Sequence, residues 1–364
     1  MEKTLEDIIK QEIRDNGPMD LGRYMNLCLG HPEHGYYMTR DPFGVNGDFT
    51  TAPEISQMFG EMVGAWVADT WMKMGAPSSF ILLECGPGRG TLMSDIMRAT
   101  KNVAGFKEAV QIHLLEISPI LRKKQKDTLN DYEVTWHRDL DTLPNDFPVI
   151  IIGNEFLDAL ATRQMKRDKT GWVEKTIDLN KNDTLQFSYI KTDKDLIEHI
   201  STPLIPYKIG DTVEVSLEQK DLLNKLMNIV IKQSSIAFFI DYGFIHNVAG
   251  DTLQAVKKHR YCDLLETPGE ADITAHVNFA KISDQMMAKD LTVHGPVSQG
   301  DWLNALGISQ RHGQLLDVAS PEQAQKLRSD LQRLTGTNTK NNEMGALFKV
   351  IAFSSNPSIN LSGF

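Results

Sequence analysis

The sequence predicts an α/β fold: a parallel, doubly wound, Rossmann-like sheet with an N-terminal helical cover and an inserted β-rich subdomain. Three observations predict it. Short apolar runs alternate with helix-forming segments from residue 80 onward, which is the pattern of βα units. The first run, Phe80-Ile81-Leu82-Leu83-Glu84, passes directly into Cys85-Gly86-Pro87-Gly88-Arg89-Gly90-Thr91, a tight turn that opens a helix, as at nucleotide sites. The alternation is then interrupted by a long polar detour, 161–232, before the next apolar run at Ile236 to Asp241.

Taken in order, residues 4–16 carry Leu5, Ile8, Ile9 and Ile13 on one helical face, with Thr4 as N-cap and Gly17-Pro18 as the stop. A second short helix follows Asp20. Residues 31–53 are rich in Gly, Pro and aromatics and read as irregular loop and hairpin. A long helix is expected from Glu54 to about Met74, with Ile55, Met58, Phe59, Met62, Val63 and Trp66 facing the core. The core strands follow at 80–84, 110–116, 133–137 and 148–153, with a helix after Gly90 and another across 119–129. Within the detour, Gln164–Lys166, Trp172–Ile177 and Leu185–Ile190 are strand-like, and a helix with a mixed-charge, solvated face spans 217–232. Residues 251–334 read as mainly helical, and a last strand, Ala346 to Phe353, closes the sheet. This divides the chain into 1–75 (helical cover and substrate-side loops), 76–160 (cofactor-binding core), 161–232 (insert) and 233–364 (remainder of the core and C-terminal helices).

A chain of 364 residues, 41% hydrophobic and 24% charged, has the composition of an ordinary globular protein with a large core. The net charge of −10 argues against nucleic-acid binding, which rests on basic surface. No apolar run approaches a membrane span, so no membrane insertion is expected. Cys28, Cys85 and Cys262 are far apart, which indicates neither a disulfide framework nor a zinc cluster. His31 and His34 have ligand-like spacing, but Pro32 and Gly35 make that segment a polar turn, and no metal is expected. The polar, acidic N-terminus is neither a signal nor an Arg-rich transit peptide. The chain therefore reads as cytoplasmic, or as mitochondrial matrix if a presequence has been removed.

The glycine spacing discriminates among nucleotides. A dinucleotide fingerprint would require glycine at 91, where Thr stands, and a P-loop would require Gly-Lys-Ser/Thr. A carboxylate at the strand end before Gly-x-Gly-x-Gly suits a cationic, phosphate-free ligand such as S-adenosylmethionine (SAM). Ligands of doubly wound sheets lie beyond the carboxyl ends of the strands, so polar residues there are the candidates. The second strand ends in Glu116-Ile117, and Glu116 could accept both ribose hydroxyls. The third leads to Asp139-Leu140, where Asp139 could receive the adenine amino group, with His137 and Arg138 as competing registers. The cofactor set is thus Glu84, Gly86, Pro87, Gly88, Gly90, Glu116, Ile117, Asp139, Leu140 and Asn154. The fourth strand ends Gly153-Asn154-Glu155-Phe156-Leu157-Asp158, and the fifth ends Asp241-Tyr242-Gly243. Carboxylates after fully apolar strands are poor packing choices, which makes Asn154, Glu155, Asp158 and Asp241 candidates for chemistry. Asp272 or Thr274 would cap a following helix.

These motifs together resemble the MidA family of SAM-dependent methyltransferases, which includes a mitochondrial complex I assembly factor that methylates arginine. Glu84–Gly90, Asn154-Glu155-Phe156-x-Asp158-Ala159, Asp241-Tyr242-Gly243 and Ala271-Asp272-Ile273-Thr274-Ala275-His276-Val277-Asn278-Phe279 carry the resemblance. So do Gly30-His31-Pro32-x-His34-Gly35-Tyr36-Tyr37 and Gly47-Asp48-Phe49-x-Thr51-x-Pro53-Glu54, so that it covers about 15–355. Asn278 stands where the family pattern leads one to expect Asp. The resemblance implies a class I SAM-dependent methyltransferase fold, SAM as cofactor, and a protein substrate, with an arginine of a complex I subunit as the acceptor. A guanidinium is charged and delocalised, so carboxylates that grip it can orient one nitrogen and accept its proton. Glu155 is the first candidate, with Asp158, Glu54 and Asp241 as partners and Asn154 fixing the nucleophile. An apolar face on the 54–74 helix would permit a homodimer. The competing readings are a methyltransferase for a small molecule or for another side chain, and a SAM-binding assembly chaperone. An NAD(P) oxidoreductase is disfavoured by the glycine count.

Overall fold

The apolar runs assemble into one sheet in the computed structural model, which describes residues 3–42, 51–200, 203 and 205–364. Gly47, Asp48 and Phe49 of the N-terminal motif lie outside the described residues. The strands are β1 (Phe80–Cys85), β2 (Val110–Leu115), β3 (Val134–His137), β4 (Val149–Asn154), β5 (Ile236–Phe244), β6 (Thr292–Ser298) and β7 (Phe348–Ser354). Their order across the sheet is β6-β7-β5-β4-β1-β2-β3. The first five are mutually parallel, and β7 runs antiparallel to both β5 and β6. The direction of winding reverses between β1 and β4, which puts a ligand crevice at their carboxyl ends. Both faces of β1 are buried, from Phe80 to Cys85. That explains its unbroken apolar run, since strands covered on both sides show no alternation.

The chain divides into two compact units, one formed by 1–49, 157–223 and 246–281, the other by 50–156, 224–245 and 282–364. This grouping differs from a linear division into four segments, because the N-terminal helices, the insert and 246–281 belong to one unit. In the sheet-bearing unit, Leu82, Ile112, Ile152, Phe238 and Val350 share a core with helix Gln57–Lys73 and helix Thr91–Thr100. Two glycines permit the close approach of these helices. A Cβ on Gly60 would fall 2.4 Å from the Asp95 Cβ, and one on Gly64 would fall 2.8 Å from the Ala99 Cβ.

In the other unit, Leu5–Asn16 is a helix with a full capping box from Thr4 and Asp7, and it ends at Gly17 with φ 85°. Leu5, Ile9, Ile13, Tyr24, Cys28, Ile177 and Ile273 form that unit's core. The insert supplies strands Arg163–Arg167, Trp172–Leu179, Leu185–Lys191 and Thr212–Val215, paired antiparallel.

Several expectations are corrected. The 54–74 helix begins later: Ala52–Ile55 is a separate turn, and Ser56 caps the helix at Gln57 by accepting from the Met58 N–H. Its apolar face is not exposed, since Met58, Phe59, Met62, Val63 and Trp66 are buried in the unit's own core, so the face offered for a homodimer is already covered. Within 31–53, Tyr36–Thr39 forms a helical turn. The stretch from 251 onward is not mainly helical, because Gln254–Lys257, Arg260–Cys262 and Asp272–Thr274 form a small antiparallel sheet and β6 lies farther on. Asp272 and Thr274 are therefore strand residues. The cap of helix Phe279–Met287 is Asn278, whose Oδ1 accepts from the Lys281 N–H 3.0 Å away.

Candidate active site

At the end of β1 the backbone turns through three left-handed residues, Gly86 (φ 63°), Gly88 (φ 53°) and Gly90 (φ 84°). Only glycine adopts these angles without a steric cost, and the last of them starts helix Thr91–Thr100. The turn is closed by the Gly90 N–H donating to the Pro87 carbonyl at 2.7 Å, and anchored by the Gly86 N–H donating to Leu115 at 3.1 Å. A Cβ on Gly86 would lie 2.7 Å from the Phe156 ring, so this strand end also abuts the one from β4.

Glu84 sits under that turn, 3% exposed. Its Oε2 is buried and accepts no hydrogen bond. Burial, with the nearby Glu116 carboxylate adding to it, pushes the Glu84 carboxyl up to about 8, against the lowering effect of the Met93 N–H. A buried acid with an orphaned oxygen is what a cationic ligand would complete. Glu116, at the end of β2, is also buried and shifted upward by burial. Its Oε1 accepts from the Ser118 N–H at 2.7 Å and its Oε2 from Gln125 at 3.1 Å, leaving lone pairs for hydroxyl donors. Ile117 beside it is 46% exposed, unusual for a large apolar residue.

Asp139 lies away from this group in character. It is exposed, caps the turn Leu140–Thr142 through the Asp141 N–H, and is paired with Lys225 at 2.9 Å. Both contacts use its Oδ1. They hold its carboxyl below the usual range, the Asp141 amide first. Leu140 is buried.

The end of β4 brings a second group together. Glu155 has φ 51°, a left-handed conformation in a residue that rarely adopts it. Its N–H donates to Ile240 at 2.9 Å. Its Oε1 accepts from the Asn154 amide and from the Ala52 N–H, each at 3.1 Å. Asn154 Oδ1 is buried with no donor. Asp241 does not mark the end of β5; it lies inside the strand, fully buried, and takes the Phe156 N–H at 3.1 Å and the Tyr242 N–H at 2.9 Å. Its carboxylate thereby holds the turn that presents Glu155. Glu54 reaches the glycine turn: its Oε1 accepts from the Thr91 hydroxyl at 2.6 Å, and Arg89 lies 3.8 Å from its Oε2.

Asp158 belongs to the other unit, where it is buried and its carbonyl accepts from the Ala275 N–H at 3.1 Å. In that unit Tyr37 donates to Asp272 at 2.7 Å, which brings the N-terminal motif onto the 271–279 motif. Burial first, then Asp272 and Asp158, hold the Tyr37 hydroxyl well above its usual range.

The structure adds residues that the motifs did not name. Gln125 is fully buried and donates to the Gly88 carbonyl at 2.7 Å as well as to Glu116, while Trp136 Nε1–H donates to its oxygen at 2.9 Å. It ties the glycine turn to Glu116. Its signal was available: a glutamine four residues after Leu121, on the buried side of helix Pro119–Thr128. His31 and His34 lie with their rings 5.1 Å apart, and among the described residues no group of three His, Cys, Asp or Glu could hold a metal. Among the described residues no helix is long and apolar enough to cross a membrane.

Comparison with known proteins shows the family. Residues 62–297 match the family described as "Putative S-adenosyl-L-methionine-dependent methyltransferase". The chain is 34% identical to a Drosophila melanogaster protein named protein arginine methyltransferase NDUFAF7 homolog, mitochondrial, over 96% of this chain and 84% of that one. It is 31% identical to the Danio rerio protein arginine methyltransferase NDUFAF7, mitochondrial, over 88% and 80% respectively. A Burkholderia thailandensis protein crystallised with S-adenosyl-homocysteine superposes with a TM-score of 0.85 at 28% identity, covering 99% of this chain and 94% of that one. By the family match, the extended identity and the shared fold, the chain belongs to the family of S-adenosyl-L-methionine-dependent methyltransferases.

Proposed function

We propose that the methyl acceptor is an arginine side chain of a protein, and that this protein is a subunit of respiratory complex I undergoing assembly. The observation that carries the reading is extended similarity: relatives named protein arginine methyltransferase match at 31–34% identity across 88–96% of the chain. The site chemistry supports it. SAM supplies the electrophilic methyl group, held by Glu84, the turn Gly86-Pro87-Gly88-Gly90, Glu116, Ile117 and the Asp139–Leu140 segment. Glu155, fixed by Asn154 and the Ala52 N–H, orients a guanidinium and takes the proton it releases. The orphaned Asn154 Oδ1 accepts from a second guanidinium N–H. Glu54 and Asp241 shape this arrangement by holding the glycine turn and the 154–156 turn. Asp158, the remaining candidate carboxylate, lies in the other unit and is given no part in this arrangement. The compartment would be the mitochondrial matrix, or the cytoplasm in a bacterium.

The test uses methyl-labelled SAM, the purified protein and an extract of cells that lack it. Label in one protein band, released on hydrolysis as methylarginine, is the expected result. Label confined to small molecules, or tight SAM binding with no labelled product, would replace this reading by a small-molecule methyltransferase or a SAM-binding chaperone.

A further inference from the structure

Two histidines lie where none of the chemistry above requires them. His113 is in β2 and His137 ends β3; they are 4% and 5% exposed. Their rings are inclined by only 9°, and His113 Nδ1 is 2.7 Å from His137 Nε2. On its other side, His137 Nδ1 is 2.7 Å from the Thr142 hydroxyl oxygen. That hydroxyl donates its single proton to the Asp139 carbonyl, 2.9 Å away. The Thr142 oxygen must therefore accept from His137, which places the His137 proton on Nδ1 and leaves Nε2 bare. His113 in turn must donate from its Nδ1. This assignment follows from the hydrogen-bond network, and it admits one arrangement of protons with both rings uncharged.

The chain of contacts ends on the adenosine side of the site. Thr142 closes the 139–142 turn that carries Asp139 and Leu140. The same strand ends are joined by the Glu116 N–H donating to the His137 carbonyl at 3.0 Å. The Arg122 guanidinium bridges the Glu116 carbonyl at 2.6 Å and the His137 carbonyl at 2.8 Å. Resting on the reading of this region as the adenosine subsite, we propose that the His113–His137–Thr142 chain is a positioning staple for SAM. It fixes the 139–142 turn against the Glu116 strand end.

The bond between the rings persists while at least one of them is uncharged, because a single added proton is shared across it. The surrounding charges reinforce this. Burial, and secondarily His137, lower His113 to about 4; burial, and secondarily Arg122 from helix Pro119–Thr128, lower His137. Arg138 adds positive potential at Arg122. The nearby carboxylates are occupied elsewhere, Glu116 by Ser118 and Gln125, Asp139 and Asp141 by Lys225.

The experiment measures S-adenosyl-homocysteine binding by calorimetry at pH 7.5 in the full-length wild type and in His113→Leu and His113→Asn. Losing the donor in His113→Leu should weaken binding by about tenfold, the usual effect of one unmet buried hydrogen bond. Asn retains a donor near the Nδ1 position. It should restore binding to within about twofold of wild type. His113→Leu binding as tightly as wild type with only a lowered Tm, or His113→Asn binding no better than His113→Leu, would overturn the proposal. Should His113→Leu not fold, Thr142→Val, which breaks the other end of the chain at nearly constant size, takes its place. If the wild type binds no S-adenosyl-homocysteine, the cofactor reading itself fails, a result distinct from either of these.

Discussion

The ends of β1 and β4 lie side by side on one sheet and each carries a carboxylate, yet the two are prepared in opposite ways. Glu84 is buried beneath the glycine turn with an oxygen that accepts nothing, and burial holds it largely protonated, up to about 8. Glu155 stands half-buried in a left-handed turn, already fixed by two donors and by a backbone bond to β5. One keeps an oxygen without a donor; the other is oriented by its neighbours. On the proposed reading, the difference is that between a group that binds a charge and one that must act on a bound group in a set geometry.

The largest effect should come from destroying the first region. Gly88→Val places a β-branched residue at φ 53° in the turn. It is expected to abolish SAM binding in a calorimetric titration while the thermal transition persists. Retained binding would show that the turn does not form the cofactor cradle. Next, Glu155→Gln keeps the size of the side chain but removes its basicity. Methyl transfer should slow by about 10²–10⁴-fold, with SAM affinity altered little. Comparable turnover would remove Glu155 from the chemistry and erase the contrast with Glu84.

A third prediction sharpens the comparison through pH. With its pKa raised above the value in the unfolded chain, Glu84 binds a proton in the free folded protein that the unfolded chain has released. Free-protein stability should therefore fall as pH rises from the ordinary carboxylate range toward about 8. SAM binding runs the other way, since the cation favours ionised Glu84. Affinity should increase by up to about tenfold per pH unit below 8, with proton release visible as buffer-dependent binding heat. Glu84→Gln should remove both the proton release and this slope; a wild type without proton release would mean that Glu84 is ionised beforehand. The smallest effect is expected at Lys225→Met, which breaks the exposed pairs to Asp139 and Asp141. Such pairs contribute little, so SAM affinity should stay within about twofold of wild type. A large loss would show that Asp139 needs Lys225 to meet the ligand.

The two compact units differ in how far they could be read from sequence, for a physical reason. In the sheet unit, β1, β4 and β5 are covered on both faces, so their apolar runs are continuous and bounded. The glycine turn advertises itself because only glycine takes those angles. In the other unit, Gln254–Lys257, Arg260–Cys262 and Asp272–Thr274 are short strands with polar members. Each is stabilised by pairing with the others, and too few residues of each are apolar to show a period of two. Asp272 looked like a helix cap because a helix does begin nearby, but its carboxylate is engaged by Tyr37, far away in sequence. β6 was hidden by Gly295-Pro296, residues that ordinarily argue against a strand. At 54–74 the apolar pattern ran on through Ser56, and only the Met58 amide shows that the serine interrupts the helix.

By itself the sequence determined the parallel core, the glycine turn, the identity of the carboxylates at the strand ends and the kind of cofactor they suit. These are consequences of local chemistry: backbone angles, burial on both faces, and charge at the end of an apolar run. Tertiary structure alone decided which of those carboxylates is orphaned, which is clamped and which serves the backbone. Glu84, Glu155 and Asp241 are the same kind of group in sequence, and they differ only in the donors that other segments bring to them. Gln125 and the His113–His137 pair belong to the same class, because their partners arrive across strands and helices. No spacing along the chain records a hydrogen bond whose two ends meet only when the sheet is assembled.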